Sequence, residues 1–312
     1  MIITHAVDLA AEELGDRGER DVPLAPFTTY RVGGPAALFV RAHSLDDLSA
    51  VAEAHAASGL PVLVVGRGSN LLVADRGFPG IAVLTTALGG DLVIPAAPHG
   101  RVEVSGGSGL AMPVVARRVA AAGLCGFEWA VGVPGSLGGA VRMNAGGHGS
   151  DMASCLVAAQ VFDLATGSAA WRPVDELGLR FRGSEIAALD VVVEVVLHVH
   201  TGDRAAAEAE IAEIVRWRRE NQPGGQNAGS VFVNPVPGEV SAGLLIDGLG
   251  LRGLRVGSAW VSEKHANFIQ ASEGGSAHDV RAVIELVRTR VAEATGYELR
   301  SEVRLIGFED ER

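Results

Sequence analysis

The stretch "AVGVPGSLGGAVRMNAGGHG", residues 130–149, decides how the chain is read. Pro134 fixes a turn, Gly135 to Gly139 are expected to expose backbone amides, and a short helix is expected from about Ser136. Glycine permits positive φ and a close approach of N–H groups to a ligand. Successive amides at a strand end form an anion-binding concavity. Two further clusters, "VVGRGSNLLV" (64–73) and "VSGGSGLAM" (104–112), also follow strand-like segments. Tight turns alone explain one such cluster; three of them favour a phosphate-bearing cofactor.

Which cofactor is narrowed by exclusion. No GxxxxGK[ST] is present, so a P-loop is ruled out. A literal GxGxxG runs from Gly248 to Gly253, but it follows "SAGLLID", which has helical spacing, and opens no helix. The dinucleotide fingerprint needs strand, turn and then helix, so this match is a decoy. The residue types support a pyrophosphate without naming the molecule.

Outward from these loops, strand character recurs at 36–42, 60–66, 80–86, 101–107, 156–164 and 190–199. Helical patterns interleave. Ser44 before "LDDL" reads as an N-cap with an acid at N3, opening a helix that Gly59 closes. "LAMPVVARRVAAAG" (110–123) is a second helix, with Pro113 in its first turn and Gly123 past its end. A long helix is expected over 203–221, another over 276–296, and a last strand in "YELRSEVRLIGF" (297–308). The change of character places a domain boundary near residue 205.

Composition bounds the function. The chain has 312 residues, 48% hydrophobic and 20% charged, as in a folded protein of two or three domains. No apolar run approaches the roughly 20 residues of a membrane span. The N-terminus carries acids and no basic region, so it does not read as a signal peptide, and the cytoplasm is the expected location. A net charge of −11 argues against a nucleic-acid partner, but leaves room for an anionic small molecule. Cys125 and Cys155 lack ligand spacing, and His198 with His200 makes only two ligands, so no metal site is expected. Among 25 arginines the single lysine, Lys264, lies in "SEKHANF"; either a compact ammonium is wanted there or it is a survivor of coding bias.

"QNAGSVFVNP" (226–235) poses a choice. Val231, Phe232 and Val233 read as a short strand that Pro235 ends, and Ser230 is then either a loop residue or a group held at the strand's mouth for proton chemistry.

Taken in order and spacing, "FTTYRVGGPA" (27–36), "GRGSNLLV", "VPGSLGGAVRMNAGGHG", "FRGS" (181–184), "GSVFVNP", "SEKHANFI" and "LRSEVRLIG" resemble the UDP-N-acetylenolpyruvoylglucosamine reductase family over residues 24–308. These are flavoenzymes that make UDP-N-acetylmuramate for peptidoglycan. "GRGSNLL" alone is shared with the wider group of FAD enzymes related to vanillyl-alcohol oxidase, so an FAD-dependent sugar or alcohol oxidase is the rival enzyme class. The resemblance implies an α+β protein: a two-subdomain FAD-binding fold of the vanillyl-alcohol-oxidase type over 1–205, split near 86. A substrate-binding domain would follow over 206–302, with 303–312 returning as a terminal strand to the first subdomain. The chain lacks the extra segment of longer members and is similar to the shorter subtype.

The resemblance also implies site residues. Its catalytic arginine, serine and glutamate fall on Arg182, Ser230 and Glu302. FAD contacts fall on Tyr30 and Arg31, on Gly66, Arg67, Gly68, Ser69, Asn70 and Leu71, and on Val133, Pro134, Gly135, Ser136, Gly138, Gly139 and Asn144. Contacts to the UDP-sugar fall on Arg218, Asn234, Lys264, His265 and Arg304. NADPH and UDP-N-acetylglucosamine-enolpyruvate would be the small-molecule partners. Phe181 stands where the family usually has tyrosine, and Val233 where it often has lysine or arginine. The implied chemistry moves hydride from flavin N5 to the vinyl carbon and a proton to its neighbour. An arginine fork beside the carboxylate suits the developing charge, and an unactivated serine suffices as acid to an enolate carbon. Without the resemblance, Arg182 reads as a surface ion pair, Glu302 as an exposed strand acid, and "RWRREN" (216–221) as a solvated helix face.

Overall fold

The computed structural model describes residues 2–96 and 98–308. The chain forms two compact units. One takes the chain up to Arg20, Ala37–Arg67 and Pro79–Arg218; the other takes Asp21–Ala36, Gly68–Phe78 and the chain from Arg219. Both mix helices and sheets, an α+β architecture.

The chain opens with α1 (Ile2–Leu14), β1 (Glu19–Pro23), β2 (Pro35–Arg41), α2 (Leu45–Ser58), β3 (Val62–Val65), β4 (Leu71–Val73) and β5 (Phe78–Leu84). The sheet order β1-β2-β5-β3 places β3 parallel to β5. α2 is bounded as its sequence demands. Ser44 and Asp47 form a reciprocal capping box, and Gly59 ends the helix at φ +69°.

A second sheet of the first unit follows, built from β6 (Arg101–Gly107), β7 (Leu124–Cys125), β10 (Leu156–Asp163), β11 (Ser168–Pro173) and β12 (Asp190–Thr201). The small hairpin of β8 (Gly146–Gly147) and β9 (Ser150–Asp151) precedes β10. Its order is β11-β10-β12-β6, antiparallel, with β7 also on β12. The register slips between Gln160 and Val161, which makes Val193 of β12 an extra residue. The consequence is a change of face: Val192 lies in one core, while beyond the bulge Val195, Leu197 and Val199 enter that same core. Val191 and Val193 pack instead with α2 residues such as Leu48 and Val51.

α3 (Met112–Ala121) buries Met112, Val115, Ala116, Val119 and Ala120, the i, i+3, i+4 stripe of an amphipathic helix. α4 (Leu137–Met143) starts at the N-cap Ser136 and ends at Asn144. α5 (Arg204–Asn221) buries Ala207, Ile211 and Ile214 in the core with α3. The first unit therefore extends to Arg218, beyond the composition change near 205.

The second unit contains α6 (Ala242–Gly248), β13 (Arg255–Val256), β14 (Ala259–Val261), β15 (Ile269–Ala271), α7 (Ala277–Thr295) and β16 (Arg304–Ile306). α7 buries Val280, Val283, Ile284, Val287 and Val291 against this unit's core. The expected terminal strand over 297–308 is shorter than its pattern suggests: only Arg304–Ile306 is strand, and it runs parallel to β4 with Arg304 opposite Leu71. Of the decoy glycines, Gly248 ends α6, and Gly250 at φ +66° and Gly253 at φ +75° are loop residues beyond it, so the run opens no helix.

Candidate active site

In the first unit Gly66 converges with the other two glycine clusters. Leu137 N donates to Leu110 O at 2.9 Å, Gly138 N to Ser108 O at 2.9 Å, and Met112 N to Gly135 O at 3.1 Å. Ser136 Oγ accepts from Gly139 N at 3.3 Å. The amides expected to be open over 137–139 are thus bonded within the protein, which corrects that expectation. What glycine supplies here is close approach. A Cβ on Gly66 would stand 2.5 Å from Ser136 Oγ, and one on Gly138 would stand 2.8 Å from Ser108 Cβ. The result is a small cleft of about 60 Å³ lined by Val64, Gly66, Thr85, Gly138, Gly139, Arg142, Ile186, Asp190 and Val192. Asp190 is neutralised by Arg172 at 3.0 Å and accepts Ala187 N at 2.9 Å. Ser108 Oγ, packed under Gly138, is buried without a hydrogen-bond partner. Val133 and Pro134 lead into this turn, with Val133 N bonded to Ala130 O at 3.1 Å.

The second unit carries Tyr30, Arg31 and Gly68 to Leu71, while Arg67 and Asn144 belong to the first. Gly68, at φ +59°, lies so close to the Phe27–Thr28 backbone that a Cβ would meet Phe27 O at 2.0 Å. Only glycine fits there. Thr29 N donates back to Gly68 O at 3.2 Å. Tyr30 is fully buried, its hydroxyl and that of Thr29 unpartnered, and burial pushes the phenol pKa well up. Buried hydroxyls without partners are costly, and each fits a polar group supplied by a ligand. Arg31, at φ +52°, is exposed, as is Arg67. Ser69 and Leu71 flank Asn70, whose Nδ2 donates to Glu302 O at 3.0 Å and whose carbonyl accepts Arg304 N at 3.0 Å.

Arg182 belongs to the first unit. It is the second residue of a two-residue turn closed by Arg180 N to Gly183 O at 2.9 Å and Gly183 N to Arg180 O at 3.0 Å. Its φ is +54°, a conformation that costs a non-glycine residue roughly 1–2 kcal/mol. Its Nη1 donates to Gly146 O at 3.1 Å, and its guanidinium lies 5.4 Å from the Phe181 ring centre, within cation–π range. Phe181, though it lacks a hydroxyl, keeps the ring beside the arginine.

Asn144 ends α4 in the left-handed region, buried, at φ +39°. Its Nδ2 donates to Asp151 Oδ2 and to Arg180 O, each at 3.2 Å, and its Oδ1 accepts Ala153 N at 2.9 Å. Both amide hydrogens are bonded within the protein.

Ser230 and Glu302 lie on neighbouring segments of the second unit. Ser230 is bridged to Phe268, and Glu302 N donates to Val231 O at 2.7 Å. Val231 N donates to Asn267 O at 2.8 Å, and Val233 N to Arg300 O at 2.9 Å. "VFV" is therefore a bridged segment between two others and not a regular strand. Asn267, which the sequence reading passed over, is buried and grips it further: its Oδ1 accepts Phe232 N at 2.9 Å and its Nδ2 donates to Phe232 O at 2.8 Å. Its place inside "SEKHANF" was the available signal.

The expected substrate residues have local partners. Arg218 Nη1 donates to Gly132 O, and burial lowers its pKa. Beside it His148, also passed over, packs edge-on against Trp217 at 5.4 Å, and burial and then Arg218 lower its pKa. In the second unit Lys264 Nζ donates to Arg219 O at 2.5 Å. His265 is half-buried, its ring tilted against Phe268 at 4.7 Å between centres, and burial, then Arg252, lower its pKa. Asn234 Oδ1 accepts Ala242 N at 3.1 Å, and Val233 is buried, so it offers no charge at that place. The Arg304 side chain is exposed.

Comparison with known proteins places these features. The profile of the UDP-N-acetylenolpyruvoylglucosamine reductase C-terminal domain matches residues 220–306, and that of an FAD binding domain matches residues 36–171. The UDP-N-acetylenolpyruvoylglucosamine reductase of Heliobacterium modesticaldum is 41% identical over 91% of this chain and 89% of its own length. That of Bacillus velezensis is 36% identical over 96% and 97%. The crystal structure of the Thermus caldophilus reductase superimposes with a TM-score of 0.76 at 34% identity, covering 93% of this chain and 99% of that one. A chain with an FAD binding domain profile, a glycine-walled cleft, and a serine and a glutamate brought together in its second unit thus belongs to the UDP-N-acetylenolpyruvoylglucosamine reductase family.

Proposed function

We propose that the chain reduces UDP-N-acetylglucosamine-enolpyruvate to UDP-N-acetylmuramate, with NADPH as the hydride source. The observation that carries this reading is the juxtaposition of Ser230 and Glu302 on hydrogen-bonded segments, within a chain of this family. The region up to 205 would hold FAD and 206–302 the UDP-sugar. The glycine cleft of the first unit, with Arg142 on its wall and the unpartnered Ser108 hydroxyl under Gly138, fits part of a dinucleotide. When bound, FAD supplies two-electron chemistry, accepting hydride from the nicotinamide and passing it to the terminal vinyl carbon.

The protein's own residues then manage charge and proton. Charge moves to the substrate carboxylate as an enolate, and Arg182 opposes it with a planar fork. Ser230 gives its hydroxyl proton to the carbon that bears the carboxylate, and solvent restores it. Glu302 positions the substrate through hydrogen bonds. The balance is one hydride and one proton added across the vinyl bond, with NADPH oxidised. The soluble nucleotide substrates favour a cytoplasmic setting, and among the described residues no helix is long and apolar enough to cross a membrane.

Anaerobic stopped-flow on the flavin absorbance separates the half-reactions. Ser230→Ala leaves reduction by NADPH within about a few-fold and slows reoxidation by the UDP-sugar by about 10²–10⁴, the range for a lost general acid. Equal slowing of both phases would make the serine a pocket-shaping residue. A preparation that neither contains nor binds FAD removes the flavin reading altogether.

A further inference from the structure

The geometry points to Asn144 as the positioning residue for Arg182, an assignment that rests on reading Arg182 as the group that faces the substrate carboxylate. The arginine sits in a two-residue turn at a backbone angle that favours glycine, φ +54°. Something outside the turn must hold it there. Asn144 reaches it from two sides. Through Nδ2 it bonds the carbonyl of Arg180, the residue that opens the turn, at 3.2 Å. Through the same nitrogen it bonds Asp151, also at 3.2 Å, and Asp151 is paired in the β8–β9 hairpin with Gly146. Gly146 in turn offers the carbonyl that accepts Arg182 Nη1 at 3.1 Å.

The contacts therefore close a ring: Arg180 carbonyl, Asn144 amide, Asp151 carboxylate, Gly146 carbonyl, Arg182 guanidinium. One side chain sets both the main chain of the arginine and the acceptor that aims its head. The hairpin has no slack, since a Cβ on Gly146 would lie 2.7 Å from Asp151 Cβ. Ser184 Oγ fastens the far side of the turn to α4 through Arg142 O at 2.7 Å. Asparagine suits the position because it tolerates the left-handed region and carries two donors. Aspartate would present an acceptor to a carboxylate and a carbonyl.

The test uses the full-length holoenzyme and the two stopped-flow phases. Asn144→Gly keeps the left-handed backbone and deletes the brace. We expect its reoxidation by the UDP-sugar to slow by about 10–10²-fold, the scale of a small misplacement. FAD content and reduction by NADPH stay within about two-fold. In the background of Arg182→Ala the same change has no further effect, because the two act as one unit. Asn144→Asp adds a readout that a purely structural role would not move: its reoxidation rate, relative to wild type, rises as pH falls, because a protonated carboxyl regains a donor.

If Arg182→Ala reoxidises at the wild-type rate, the reading of Arg182 fails and the brace with it. Should Arg182→Ala be slow while Asn144→Gly is normal, or slows additively, the brace alone is overturned. Loss of FAD from a folded Asn144→Gly overturns it in favour of a cofactor contact. Where Asn144→Gly does not fold, a pH-independent rate ratio for Asn144→Asp overturns it.

Discussion

Arg182 and Ser230 are held in opposite ways. Arg182 stands in a strained turn and depends on side chains, those of Asn144, Asp151 and Ser184, for its place. Ser230 enters a segment clamped on both sides by main-chain bonds, to Asn267 and Phe268 on one flank and to Arg300 and Glu302 on the other. A main-chain ladder survives almost any substitution, because the bonding atoms are common to all residues but proline. A side-chain brace fails with one. The difference teaches where single changes reach catalysis through positioning: near the arginine, and hardly at all near the serine.

The sharpest test is Arg182 itself. Arg182→Ala removes the donor facing the developing carboxylate charge and is expected to slow flavin reoxidation by about 10²–10³, as for a lost oxyanion contact. Reduction by NADPH stays near wild type in the same stopped-flow record. A second arm reads strain: Arg182→Gly is equally slow but more stable than Arg182→Ala by about 1 kcal/mol, since glycine adopts φ +54° freely. Equal urea midpoints for the two variants would show an unstrained turn.

Asn267 is the exception that probes the ladder. Its side chain imitates a strand by bonding both the N–H and the carbonyl of Phe232 while buried. Asn267→Ala leaves two buried main-chain groups without partners and is expected to cost about 2–4 kcal/mol in urea denaturation. Because Val231 and Val233 keep their main-chain bonds, a residual folded fraction retains Ser230-dependent reoxidation. Loss of that reoxidation in well-folded protein would mean that the ladder alone does not place the serine.

The smallest effect belongs to an exposed brace in the second unit. Asp75, just after β4, accepts from Ser276 Oγ at 2.6 Å, Ala277 N at 2.8 Å and the His278 ring at 2.7 Å, at the start of α7. Burial works to raise its pKa, but the hydrogen bonds from Ser276, Ala277 and His278 outweigh it and hold the carboxyl below its usual value of 3.8. With the folded pKa depressed, the stabilisation is present above the unfolded value and is lost as pH falls through the folded one. Urea midpoints measured from pH 6 down to pH 3 should therefore fall less steeply for Asp75→Asn than for wild type. Parallel curves would show that this exposed brace, unlike that of Asn144, carries no measurable load.

Some of this molecule was legible without coordinates. The Ser44 cap, the Gly59 stop, the apolar stripe of α3 and the helix opened by Ser136 were readable because their partners lie within one turn of the chain. The order of short motifs was enough for the family and for Arg182, Ser230 and Glu302 as its candidates. Tertiary structure alone decided what those residues lean on. The run 297–308 looks like one strand, yet residues 300–302 bond the Ser230 segment and only Arg304–Ile306 joins β4. α5 reads as the start of a new domain, but Ala207, Ile211 and Ile214 are buried in the first unit. Asn144 looked like part of a cofactor loop, and both its donors are taken by residues that only folding brings near. Periodicity and capping report on neighbours a few residues away; a hydrogen bond to a carbonyl far along the chain leaves no local pattern to read.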